Sequence, residues 1–431
     1  MLETALEPDQ ALLIHTIVRD KERNRDRERA ERLAQELDHL ARGAGLLVAD
    51  LQVLSVARAH PGTFLGKGRV EIVREQVESL GVTVVVFNHS LSPIQQRNLE
   101  SILKAKVVDR TGLILEIFAS RARTKEGILQ VELASLLYQQ SRLVRSWTHL
   151  ERQRGGVGLR GGPGETQIEV DRRLIREQIS RLKKQLSQVE RTRSLQRQSR
   201  QDVPFFTATL VGYTNAGKST LFNRMTAADV YAADQLFATL DPTMRGLDLP
   251  GGERVILSDT VGFIRDLPHQ LVAAFRATLE EVLSADILLH VVDISDPEWR
   301  EQEQAVHKVL RELGANDRPM LTLYNKVDLL DGEQQGLLDR LGSRSDARLL
   351  SAVSGEGIED LIQALGQAAQ RGSTLFNLDL PATDGALLAK LCQLGKVLKR
   401  EELEDRIHLS VSLSETVSGR LRPEIEGYIR G

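Results

Sequence analysis

Gly212, Gly217, Lys218 and Ser219 stand in the order Gly-x-x-x-x-Gly-Lys-Ser, within the stretch ATLVGYTNAGKSTLFNRM. An apolar strand pattern precedes them and a helical pattern follows. Phosphate binding needs this order: glycines let backbone amides face the anion, and a helix N-terminus adds partial positive charge. Gly212, Tyr213, Thr214, Asn215, Ala216, Gly217, Lys218, Ser219 and Thr220 are therefore the expected phosphate cradle. Lys218 is expected to reach the β- and γ-phosphates and Ser219 to bind Mg2+. A structural turn is the plainer reading of so short a pattern, but the strand before and the helix after favour phosphate.

Three further stretches complete a nucleotide site. Asp259 closes the strand RVILSD as a magnesium-side carboxylate should, and the Gly262 amide of the Asp-x-x-Gly turn can bond a γ-phosphate. MLTLYNKVD ends in Asn325-Lys326-x-Asp328, and a carboxylate at Asp328 can accept both N1–H and the exocyclic amine of guanine. Adenine lacks that donor pair, so the expected nucleotide is GTP. LLSAVSG then brings Ser351 and Ala352 to a loop after the final strand. Each motif follows a strand, where open α/β sheets bind ligands.

After Gly262 stands Phe263, where many such turns hold a glutamine that aligns the attacking water. An apolar side chain cannot orient water, so slow intrinsic hydrolysis is expected. Help must then come from backbone groups, a bound cation or a partner. Phe263 also reads as a core residue beneath the turn, and both readings can hold together.

The elements around these motifs follow from apolar periodicity. Residues 1–120 alternate short apolar runs (ALLIHTIV, LQVLSV, VTVVVFN, KVVD) with helical patterns, one capped by Ser92, which predicts an N-terminal α/β domain with a largely parallel sheet. PGTFLGKGRVEI, from Pro61, has only three residues between Gly62 and Gly66 and a glycine where a hydroxyl is required, so it reads as a loop capping the next helix. Residues 121–203 carry two heptad patterns, Leu129, Leu133, Leu136, Leu143, Trp147 and Leu150, then Ile168, Ile175, Ile179, Leu182, Leu186 and Val189. Trp147 reads as core packing on this pattern. A glycine-rich loop, RGGVGLRGGPGE, separates the patterns and predicts a projecting antiparallel helical hairpin with that loop at its tip. Residues 204–372 form the expected P-loop G domain, and 373–431 a small α+β domain without a chemical motif. The fold class is α/β.

Charge adds a partner. Between Ser141 and Arg200 there are 15 Lys/Arg against 6 Asp/Glu, in a chain of net charge −3. A basic element on an acidic body suits a polyanion, although a solvated helical surface is an equal reading from charge alone. In the tip loop, Arg154, Gly155, Gly156, Gly158, Arg160, Gly161 and Gly162 are the expected RNA contacts: glycine backbone approaches closely and arginines stack or clamp phosphates. Cys392 is the single cysteine, which excludes an intrachain disulfide or a cysteine zinc cluster. No run of about 18 apolar residues appears and MLETALEPDQ is acidic, so a soluble cytoplasmic chain with no more than loose membrane association is expected. The nine histidines show no metal spacing and read as structural or solvated.

The stretches GYTNAGKSTLFN, YAADQLFATLDPT, LSDTVGFIRDLPHQLVAAF, NKVD, VVDRTGLILEIFASRA, VELASLLY, RLVRSWTHLERQ and GETQIEVDRR together resemble the HflX family of translation-factor-class GTPases, over nearly the whole chain. The likeness implies a GTPase that binds the large ribosomal subunit and its RNA, splits or rescues stalled and idle ribosomes under stress, and acts as a monomer. It implies that Thr239, in FATLDPT, binds Mg2+ and the γ-phosphate in the active state. Asn215 matches an asparagine that holds K+ beside the phosphates in some related GTPases; a turn asparagine bonding its own loop is the plainer alternative. LRGGPGET carries one more glycine than the family pattern. Competing readings are an ATP- or GTP-dependent RNA-remodelling or ribosome-assembly factor, and a regulatory switch with a non-ribosomal target.

Overall fold

The computed structural model describes residues 9–18, 25–153, 167–200, 205–226, 237, 239, 243–265, 281–331, 334–371 and 373–430. They fall into two compact units. The first holds the residues up to Ser187 with Phe237 and Thr239, and the second holds the rest. The tip-loop residues Arg154, Gly155, Gly156, Gly158, Arg160, Gly161 and Gly162 lie outside the described residues, as do the side chains of Leu143, Trp147, Leu150 and Ile168.

The first unit opens with four parallel strands: β1 (Gln10–Val18), β2 (Leu47–Val56), β3 (Val84–Phe87) and β4 (Lys106–Asp109), in the order β2-β1-β3-β4. All four residues of β3 are buried, as a parallel strand covered on both faces requires. Helices Arg25–Gly43, Lys67–Leu80 and Pro93–Leu103 alternate with these strands. Ser92 caps the last of them in a capping box with Gln95, satisfying two otherwise unpaired amides. The Pro61 stretch forms a small loop, bridged between His60 and Phe64, that ends at the Gly66 N-cap of the Lys67–Leu80 helix. The expected capping loop is what forms.

Asp109 fastens a long helix to this sheet. It is 1% exposed, yet its carboxylate accepts from the Leu91 and Gly112 amides at 3.1 and 2.9 Å and from the Tyr138 hydroxyl at 2.5 Å, and pairs with Arg142 at 2.5 Å. A buried carboxylate with four donors is fully compensated. Burial and the neighbouring Asp109 push the Tyr138 phenol far above its ordinary pKa, so it remains a donor. Tyr138 and Arg142 belong to the helix Lys125–Gln153, and a second long helix spans Gln167–Arg200. Leu129, Leu133, Ile179, Leu182 and Leu186 of the predicted repeats are buried.

The second unit centres on six strands: β5 (Phe206–Gly212), β6 (Thr243–Asp248), β7 (Arg254–Asp259), β8 (Ile287–Asp293), β9 (Met320–Asn325) and β10 (Ala347–Leu349). Their order is β10-β9-β8-β5-β7-β6, parallel except for β6. Alternate residues of β8 face opposite layers. Ile287, Leu289 and Val291 join Leu221 and Phe222 of the Lys218–Thr226 helix and Leu361 and Leu365 of the Ile358–Arg371 helix. Val292 packs on the other face with Trp299 and Tyr324. Helices on both faces make this a doubly wound sheet. Beyond it β11 (Ser373–Pro381), β12 (Lys396–Glu402) and β13 (Arg406–Ser414) form an antiparallel sheet, β11-β13-β12, with the Gly385–Leu394 and Glu415–Ile425 helices closing one core. No described helix is long and apolar enough to cross a membrane.

Candidate functional site

The cradle forms where β5 ends at Gly212 and a helix begins at Lys218. Gly217 has φ +94°, and a Cβ there would lie 2.2 Å from the Asn325 amide nitrogen, so glycine is required on both counts. Asn215 occupies the left-handed region at φ +63°, which asparagine tolerates better than most residues. The Lys218 ammonium donates to the carbonyls of Tyr213 at 2.8 Å and Gly212 at 3.2 Å, curling over the loop where phosphates would sit. Burial pushes its pKa down to about 8, opposed by the charge of Asp259. Ser219 Oγ donates to Asp259 Oδ2 at 2.7 Å, bringing together the two oxygens expected near a magnesium ion.

The Asp-x-x-Gly turn is stitched directly to the cradle. Thr214 N donates to the Phe263 carbonyl at 2.7 Å, and Phe263 N donates to the Gly212 carbonyl at 3.0 Å. Gly262 is clamped between the two strands of contact: a Cβ there would lie 2.8 Å from Thr214 Cγ2 and 3.0 Å from Lys218 Nζ. The amide of Gly262 thus belongs to the same small volume as the lysine ammonium. Phe263 and Ile264 are each 1% exposed, so the apolar pair is core. Arg265 N donates to the Tyr213 hydroxyl at 3.1 Å, and its guanidinium pairs with Glu298 at 2.5 Å.

The base side is braced by Asn325. Its Nδ2 donates to the Ala216 carbonyl at 2.8 Å and its Oδ1 accepts from the Ala352 amide at 2.9 Å. One buried side chain therefore joins the phosphate loop to the Ser351–Ala352 loop. Lys326, at φ +66°, pairs with Asp293 at 2.6 Å, and Asp328 lies exposed on the short 3-10 turn Val327–Leu329. Ser351 is fully buried, and its hydroxyl accepts from the Ser354 amide at 3.0 Å. These residues converge at the C-terminal edges of β5, β7, β8 and β9. Thr239 stands apart from this description, because it belongs to the first unit, near Phe237, whose ring meets Phe118 edge-on at 4.6 Å.

Residues 207–326 match the family described as "50S ribosome-binding GTPase", residues 31–119 "GTP-binding GTPase N-terminal" and residues 121–200 "GTP-binding GTPase Middle Region". The chain is 60% identical to a "GTPase HflX" of Magnetococcus marinus over 99% of its length and 97% of the relative's. It is 49% identical to "GTPase HflX" of Escherichia coli (strain K12), over 92% and 91%. The chain belongs to the HflX family of GTPases. It binds guanine nucleotide and hydrolyses GTP with a P-loop G domain.

Sequence reasoning missed several residues of this HflX site. Asp293 was legible only as the polar end of the buried run LLHVVD; an aspartate at a strand's C-terminal edge, between the P-loop strand and the Asn-Lys strand, was the available signal. Glu298 gave none. Two of the histidines meet a carboxylate in three dimensions. His290 on β8 and Glu303 and His307 on the Trp299–Leu313 helix place one ligand atom each within 4.8 Å of the others. Spacing along the chain hides this, because Glu303 lies 13 positions after His290; the i, i+4 pair Glu303/His307 was the available signal. His290 is 1% exposed, and burial, then His307 and Lys218, push its pKa down to about 3, so its imidazole is neutral.

Proposed function

We propose that this GTPase binds the large ribosomal subunit and uses GTP to split or rescue stalled and idle ribosomes under stress, working in the cytoplasm as a monomer. What supports the reading is the union, in one chain, of a G domain of the 50S-ribosome-binding family with HflX-type N-terminal and middle regions. A basic run from Ser141 to Arg200 adds a surface suited to ribosomal RNA.

The residues divide the work as follows. Gly212 to Thr220 wrap the phosphates with backbone amides, Lys218 pairs with the β- and γ-phosphates, and the Gly262 amide holds the γ-phosphate. Lys326 lines the base with its stem, and Asp328 accepts both guanine donors, with Asn325, Ser351 and Ala352 fixing the loops around it. Ser219 and Asp259 fit Mg2+: both are oxygen donors, and their 2.7 Å contact puts a hydroxyl ligand against a carboxylate that can act behind it. Thr239 would complete the ion's surroundings in the active state. That ion would neutralise charge on the β- and γ-phosphates. Asn215 would seat a K+ ion beside them, substituting for an arginine finger. With Phe263 buried, the group that orients water comes from the ribosome.

The tip loop is the part proposed to act on ribosomal RNA. Replacing Arg154–Glu165 by a short neutral turn should leave GTP affinity and intrinsic hydrolysis almost unchanged. Ribosome splitting, followed by light scattering, should fall sharply, with a smaller loss of subunit binding. Full splitting by the variant would reduce the loop to a connector. Wild-type protein that neither pellets with large subunits nor dissociates ribosomes would overturn the proposal as a whole.

A further inference from the structure

His290 poses a packing problem that nucleotide binding does not solve. Its imidazole is buried in the α/β interface beneath the cradle, one residue before Val291, which pairs with Gly212. Among the described residues, neither ring nitrogen has a hydrogen-bond partner. Leu288 and Val292 share its face of the strand, and a third apolar residue there would avoid stranding two polar atoms away from water. Opposite it, one turn apart on the Trp299–Leu313 helix, stand Glu303 and His307. Their side chains are half-buried, so the cluster is sealed on the sheet side and open toward solvent. The two rings meet edge-on, with centroids 5.3 Å apart.

We propose that His290, Glu303 and His307 form a binding site for a divalent transition-metal ion, best matched by Zn2+. Two imidazoles and one carboxylate are the donor set that Zn2+ shares with three-ligand open sites, whereas Mg2+ and Ca2+ take oxygen alone. The donors lie within 4.8 Å of one another. Tetrahedral zinc, with bonds of about 2.0–2.1 Å, sets neighbouring donors about 3.3 Å apart, a contraction available by rotating Glu303 and His307. The surroundings orient the set. The Tyr324 hydroxyl lies 3.5 Å from Glu303 Oε1, and Arg344, one of the cations acting on Glu303, is engaged by Asp346 at 2.8 Å and by the Tyr324 hydroxyl at 3.2 Å. A water would take the fourth position on the open side. The ion would staple β8 to a helix that begins beside Glu298, the residue that anchors Arg265 of the phosphate-sensing turn.

The test uses untagged, full-length protein stripped with a chelator and titrated with Zn2+ against a chromophoric zinc indicator. One site per chain is expected, with affinity at least about tenfold weaker in His307→Ala and in Glu303→Gln. Both substitutions fall on half-exposed positions, and unchanged GDP affinity would establish that each variant is folded. Ser219→Ala should retain the zinc site, which separates it from the magnesium position. Co2+ in place of Zn2+ should give the visible d–d absorption of a low-coordinate nitrogen–oxygen site, absent in the variants. Zinc affinity equal in wild type and both variants, affinity lost only in Ser219→Ala, or no binding at all would overturn the proposal and leave His290 and His307 as an aromatic packing pair.

Discussion

Tyr213 and Phe263 are joined as a parallel β-bridge, so the phosphate loop and the phosphate-sensing turn share backbone hydrogen bonds. A position that elsewhere holds a water-aligning glutamine is here a fastening point. The side chain of Phe263 fills core while its amide and carbonyl hold Gly212 and Thr214. A γ-phosphate that moves Gly262 must therefore move, or strain against, the cradle itself.

Restoring glutamine should accordingly not restore catalysis. Phe263→Gln places an amide in a site that is 1% exposed, which should cost about 2–4 kcal/mol of stability. Intrinsic GTP hydrolysis should not rise. Urea unfolding with single-turnover hydrolysis on the same variant checks both; a rate gain of tenfold or more would show that the side chain reaches the water after all.

Base selectivity is proposed to rest on Asp328. Asp328→Asn should weaken GTP binding and shift preference toward xanthine nucleotides, whose C2 carbonyl suits an amide donor. Competition between labelled GTP and XTP measures it. Wild-type guanine preference in the variant would remove the base-reading role from Asp328.

Most of this was legible from the chain because local patterns carry it. Gly212, Gly217, Lys218 and Ser219 announce a loop whose backbone is dictated by glycine, and Ser92 announces a helix start. Runs such as VVVF and LLHVV announce buried parallel strands. Long-range pairings were not legible. Nothing local to Glu298 indicates Arg265, nor does His290 indicate Glu303, because those contacts exist only after β8 and the following helix pack. Asn325 falls between the two cases. Its motif marked a base-binding loop, while its brace between Ala216 and Ala352 emerged only in three dimensions.

The depressed pKa of Lys218 gives a pH signature. Folding lowers its pKa from 10.5 to about 8, so between those values the unfolded chain holds the extra proton. The burial penalty is therefore fully present below about pH 8 and is relieved as pH rises toward 10.5. Phosphate reverses the sign, because an anion beside the ammonium favours its charged form. GDP affinity should decline above about pH 8, by up to about tenfold per pH unit. The decline should flatten in Lys218→Arg, which stays charged. Calorimetry from pH 7 to 9 reads this, and an affinity flat with pH in wild type would contradict the assignment.

The cation proposal separates from magnesium by ion exchange. With Mg2+ held constant, hydrolysis should be faster in K+ than in Na+ at matched ionic strength, and the difference should shrink in Asn215→Ala. Equal rates in the two salts would leave Asn215 as a turn residue stabilised by its left-handed backbone.

The ribosome is proposed to supply what Phe263 does not. The most direct measurement compares steady-state GTP hydrolysis by the purified chain alone, with large ribosomal subunits, and with the same mass of protein-free ribosomal RNA. A tenfold or greater stimulation by large subunits, well beyond that given by free RNA, is the predicted result. A rate that large subunits leave unchanged would contradict the account.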